Sequence, residues 1–166
     1  MFVVEHLVLG LGIGLGIFAL TGIRNAVPVS LAATVLPDLI DKLIGWGIFR
    51  ELYHNGRIYC HTLLLVDLLL ALAAALLILR YWEPFVLAYT AALAVLVHQL
   101  ADKMWLRPRE WLWPLLGAMP RHGDRPGYLL TRIVTDVTTP SEWVLGAVVI
   151  AVLFLFWWLG PGTRSG

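Results

Sequence analysis

Residues 84–105 read PFVLAYTAALAVLVHQLADKMW. Pro84 is a good first-turn residue for a helix, and from Phe85 to Val97 no charge interrupts the run. A helix of this length and apolarity suits a bilayer, whose core takes roughly 20 apolar residues per span. Near its end two ionisable groups arrive, His98 and Asp102. They are i and i+4 on one helix face and can hold one ion together.

Composition says the same of the whole chain. Of 166 residues, 60% are apolar and only 14% charged, with a mean hydropathy of +0.81. A soluble domain carries about a quarter charged residues. The net charge of +1 argues against nucleic acid as a partner, because phosphate neutralisation needs a clustered basic face. The single Cys60 excludes an internal disulfide. Met1–Phe2–Val3–Val4–Glu5–His6 has no basic n-region, so the first apolar stretch is expected to persist as a helix rather than be cleaved.

Working outward, four further hydrophobic stretches emerge. Phe2 to Ile23 carries Gly10, Gly12, Gly14 and Gly16, a small-residue face for close helix packing. Val27 to Phe49 is interrupted by Pro37, which predicts a short helix to Leu36 and a second segment from Leu39. Broken backbone at membrane depth is tolerated where it is buried in protein or lines a cavity. His61 to Leu79 and Trp143 to Leu159 complete the set, the last opened by Ser141 and Glu142. The expected fold is therefore all-α: a polytopic membrane helix bundle of about five transmembrane segments with a broken second helix. Residues 1–160 form a single helical domain and 161–166 a short tail.

Five spans place Lys42, Arg50, Arg57, Lys103, Arg107, Arg109, Arg121, Arg125 and Arg132 on the side of the N-terminus, and Arg24, Arg80 and Arg164 opposite. By the positive-inside rule the N-terminal side is cytoplasmic in a plasma (inner) membrane. The tryptophans mostly flank spans, as an aromatic belt does.

Depth then groups the ionisable residues. His6 begins the first helix, and His61 opens the third on the same side. Asp38 lies roughly 20 Å from the far side, and His98 and Asp102 roughly 21 and 27 Å, at a helical rise. Four segments thus deliver His or Asp to one half of the membrane, and that shared depth favours a metal site with His6, Asp38, His61, His98 and Asp102 as ligands. Imidazole with carboxylate suits zinc, with manganese or iron as alternatives. Each residue also has an ordinary reading. His6 and His61 can be interfacial, Asp38 can cap the segment after Pro37, and Asp41 with Lys42 can be a solvated edge. Asp67 lies about 240° round the helix from His61 and is left out of the site. His54 and His122 fall in loops.

These residues resemble the membrane-bound metal-dependent hydrolase family, the YdjM-like inner-membrane proteins. The resemblance runs from about residue 5 to 117, through Glu5–His6, Leu36–Pro37–Asp38–Leu39–Ile40–Asp41, His61–Thr62–Leu63–Leu64, His98–Gln99–Leu100–Ala101–Asp102 and Leu112–Trp113–Pro114. The chain departs from the family pattern at two points. His54 stands seven residues before His61, where the family has a tighter His-Arg-Gly-x-x-His, and Asp38 and Asp41 are three apart rather than two. The family is distantly similar to zinc-dependent phospholipase C, which implies ligation by Asp38, His61, His98 and Asp102. The phospholipase's second HxxxE has no counterpart here, so one or two ions are expected rather than three. The resemblance implies a hydrolase acting on a phosphoester or similar bond of a lipid at the cytoplasmic interface, with Asp38 or Asp41 as general base. The alternative is a non-enzymatic membrane protein, a transporter or a bundle using the cluster structurally. A transporter is expected to place polar groups near the midplane.

Overall fold

The computed structural model describes residues 3–49, 56–120, 131, 134–135 and 138–159. The described residues are mostly helical: α1 Val3–Thr21, α2 Ala26–Lys42, a π-helical turn Leu43–Ile48, α3 Leu63–Ile78, α4 Trp82–Ala101, a 3-10 turn Met104–Leu106, α5 Pro108–Trp111 and α6 Pro140–Leu159. Among the described residues, three helices are long and apolar enough to cross a membrane, α1, α4 and α6. α3 is apolar but has only 16 residues, and α2 carries Asp38, Asp41 and Lys42 near its end. Five spans were expected, and three helices reach full span length and apolarity.

α1 and α2 pack most closely, and glycine is the reason. A Cβ on Gly10 would lie 2.5 Å from Thr34 Oγ1, and one on Gly14 would lie 2.6 Å from the Val27 Cα. Gly12 and Gly16 face open space, so only alternate glycines of the expected face are used. The Ser30 hydroxyl donates to the Gly10 carbonyl at 2.7 Å, a polar bond at a contact where lipid would offer none. α4 lies against α1, α2 and α3, and a small core of Ala33, Val66, Ala94 and Val95 joins three of them. α6 packs on α1 through Val149 and Leu11. At the far end the Arg24 guanidinium donates to the Phe156 carbonyl at 3.2 Å and lies 4.8 Å from the Trp157 ring centroid. That cation sits against the C-terminal end of α6, where the helix dipole favours it.

The second helix is not broken at Pro37. α2 runs unbroken from Ala26 to Lys42 with Pro37 inside. An interior proline removes one backbone bond and kinks the helix, but buried packing can hold it, and Pro37 is buried. The departure from α geometry begins at Leu43 instead, where the π turn closes with Phe49 N–H on the Ile44 carbonyl at 2.8 Å. Continuity has a consequence for the site. Asp38, Asp41 and Lys42 stay at i, i+3 and i+4 of one helix face.

Candidate metal centre

Four elements end at the same place: the start of α1, the end of α2, the 56–62 segment before α3, and the end of α4. They bring together His6, Asp38, Asp41, His61, His98 and Asp102, all of them buried. Asp38, His61, His98 and Asp102 each offer a ligand atom, and these atoms all lie within 4.8 Å of one another. His61 Nε2 stands 3.1 Å from His98 Nε2 and 3.2 Å from Asp38 Oδ1. His98 Nε2 is 3.9 Å from the same Asp38 oxygen, and His61 Nε2 is 3.7 Å from Asp102 Oδ2.

His6 joins the edge of this group. Its Nε2 is 3.5 Å from Asp102 Oδ1, and its ring centroid is 4.2 Å from that of His98. Neither His6 nitrogen has a hydrogen-bond partner, and neither does His98 Nδ1. Buried polar atoms are ordinarily paired, and each exception calls for a cause.

Asp41 is engaged differently from the other carboxylates. It accepts from the backbone N–H groups of Ile58 at 2.8 Å, Cys60 at 3.0 Å and His61 at 3.2 Å, and from His61 Nδ1 at 2.7 Å. It is fully buried, so the solvated-edge reading does not hold. Its oxygens accept from these four N–H groups, chiefly at Oδ2. Asp41 thereby fixes the His61 ring with Nε2 turned to the cluster. Burial disfavours the imidazolium of His61, but the carboxylates of Asp102, Asp38 and Asp41 outweigh it and raise the pKa to about 10.

Two cations and an amide frame the group. Lys42 Nζ lies 2.7 Å from Asp38 Oδ2, and Arg57 places both Nε and Nη2 2.7 Å from Asp102 Oδ2. From sequence Arg57 counted only toward orientation, and Lys42 toward orientation and a solvated edge with Asp41. Gln99, fully buried, donates to the carbonyls of Cys60 at 3.2 Å and Thr62 at 2.9 Å. Its own carbonyl accepts from Trp111 Nε1 at 2.8 Å, so Trp111 points inward instead of serving in an aromatic belt. The clue to Gln99 was a polar residue inside an apolar run, beside His98. Asp67 is exposed on α3, away from the cluster, as expected. His54 and His122 lie outside the described residues.

Cys60 is no candidate thiolate. Burial and the neighbouring Asp41 charge push its thiol up to about 12. At pH 8 it is therefore expected to alkylate with iodoacetamide far more slowly than free cysteine, its rate rising with pH. Alkylation at the free-cysteine rate would show an open, ionised thiol.

Fold and site together define a class: a helical membrane protein with a buried two-histidine, two-aspartate cluster at one end of its bundle. Within that class the chain belongs to the YdjM inner membrane protein family, whose profile matches residues 1–162. No curated protein and no solved structure matches it.

Proposed function

We propose that this chain is a membrane-embedded hydrolase dependent on a divalent metal, acting on a phosphoester or related bond of a lipid at the cytoplasmic interface. The observation that carries the reading is the set Asp38, His61, His98 and Asp102, buried with ligand atoms within 4.8 Å of one another. The donor set fits zinc, manganese or iron, and the unpaired His6 and His98 nitrogens fit a cluster that an ion completes. A divalent ion held there supplies Lewis acidity toward water and toward a phosphoryl or ester oxygen.

The chain's own groups do the rest. Asp41 holds His61 in the tautomer and orientation that leave Nε2 for the ion, as outer partners of metal-binding histidines do. Among the four ligands, Asp38 has the most exposed side chain, 12% against 1% or less for the others. Its exposure means that an entering water meets this carboxylate first, which supports it over the other three as the group nearest the incoming water. Exposed Leu36, Leu39 and Leu43 stand beside it on the same helix end and its π turn, which supports a substrate carrying acyl chains.

Metal titration of the detergent-purified, stripped protein tests this. Zinc should bind saturably and release about one proton per ion at pH 7, because the His61 imidazolium must give up its proton to become a ligand. Affinity should therefore rise with pH below the His61 pKa. Chelator should remove hydrolysis of phospholipid in mixed micelles. A protein that neither retains metal nor hydrolyses lipid has a structural hydrogen-bond cluster instead.

The nine-to-three basic count supports placing the site at the cytoplasmic face of an inner membrane. In a Cys60→Ser background, a cysteine at Leu115, which is 84% exposed, should react with an impermeant maleimide only after the cells are opened. Reaction in intact cells would reverse the orientation.

A further inference from the structure

Two carboxylates of the cluster are each shared between the ligand group and a cation. Asp38 turns Oδ1 toward His61 and His98 and gives Oδ2 to Lys42. Asp102 turns Oδ1 toward His6, while its Oδ2 accepts two N–H groups of Arg57. The imidazoles of His61 and His98 are wholly enclosed, whereas the Lys42 and Arg57 side chains are 41% and 27% exposed. The cations thus lie at the outer edge of the cluster.

Gly56 puts them on the same edge. A Cβ at Gly56 would come within 2.6 Å of Trp46 Nε1 and 3.3 Å of Lys42 Cγ. The missing side chain lets the segment leading to Arg57 lie against the Trp46 ring, with the Lys42 stem beside it. An isolated pair of carboxylates would need no such arrangement to be neutralised, because a divalent ion does that from the inside. With an ion bound to the same carboxylates, Lys42 and Arg57 still hold their positive charge beside it. A guanidinium fork and an ammonium are suited to oxyanions of the phosphate type. A neutral ester would gain nothing from them.

We infer that Lys42 and Arg57 form an anion clamp at the mouth of the cluster, which holds the non-bridging oxygens of a phosphoryl group and so sets the substrate class as anionic phosphoesters. This rests on the metal-dependent reading above and narrows it.

Binding of inorganic phosphate to the zinc-loaded protein in detergent, followed by calorimetry, is the test. Wild type should bind phosphate, and the metal-free protein should bind it at least about 10-fold more weakly. Arg57→Lys and Lys42→Gln should each weaken phosphate binding by about 10-fold or more, the worth of a charge-assisted hydrogen bond, with zinc stoichiometry retained. Arg57→Lys keeps a charge on Asp102, so loss of its fork is separated from loss of the fold. Arg109→Gln, an exposed cation elsewhere, should change nothing. A second arm compares dihexanoyl phosphatidic acid with glycerol phosphate. Tighter binding of the lipid assigns the phosphoryl group to a headgroup, equal binding assigns it to a soluble ester, and both support the clamp. Wild type that holds zinc but binds no phosphate, or variants that bind it as well as wild type, overturn the clamp and leave the metal site standing. Wild type that holds no zinc removes both.

Discussion

His98→Ala is expected to purify as a folded helical protein that no longer retains metal. His98 supplies one of four converging ligand atoms and stands 3.1 Å from another, His61 Nε2. No other described donor stands ready at that position except His6, whose ring is already 4.2 Å from that of His98. Losing an outer partner of a metal ligand costs about 10–100-fold in affinity, and losing the ligand itself should cost more. Asp41→Asn, which weakens the hold on His61 without touching the ion, should fall in that 10–100-fold window. Leu100→Ala, an exposed position between the two ligands of α4, should leave metal content unchanged. Helicity by circular dichroism and metal by elemental analysis on the same samples check the three together. Wild-type metal stoichiometry and affinity in His98→Ala would mean that the His61–His98 contact is a structural hydrogen bond, and the hydrolase reading would lose its physical basis.

Gly14→Val is expected to separate α1 from α2 and take the site with it. The added Cβ would meet the Val27 Cα at 2.6 Å, and backbone cannot swing aside as a flexible side chain can. Overpacking of a tight contact costs about 1–3 kcal/mol, more when backbone must shift. Here the shift moves α1, which carries His6, away from α2, which carries Asp38 and Asp41. Both thermal stability in detergent and metal affinity should drop. Gly12→Val, two residues earlier on a face with nothing within 4 Å, should stay within about 0.5 kcal/mol of wild type. Equal loss from both substitutions would show that helix propensity, and not the α1–α2 contact, governs the effect.

That contrast marks how far the glycine pattern could be read. A stripe of small residues announced a close helix contact, but Gly10 and Gly14 differ from Gly12 and Gly16 only by which way they face. Facing depends on where α2 sits. Pro37 shows the same limit in the opposite direction. Its lost N–H and ring predicted a break, yet the helix passes through it and loosens at Leu43, because packing around a buried proline can hold what local geometry disfavours.

The chain's order alone determined that this is a helical membrane protein, since no soluble surface can be built from 14% charged residues. It also pointed His6, Asp38, His61, His98 and Asp102 to one end of the bundle, because helical spacing is a local property. What each residue does there was decided only by tertiary structure. Asp38 and Asp41 look alike in sequence, one helical turn apart. Asp38 turns to the imidazoles, while Asp41 is taken up by the backbone N–H groups of residues 58, 60 and 61. Those donors come from a segment seventeen or more positions away, as do the Arg57 fork on Asp102 and the Gln99 bonds to Cys60 and Thr62. A carboxylate's role follows from the donors that reach it, and a returning loop has no periodicity from which its reach could be read.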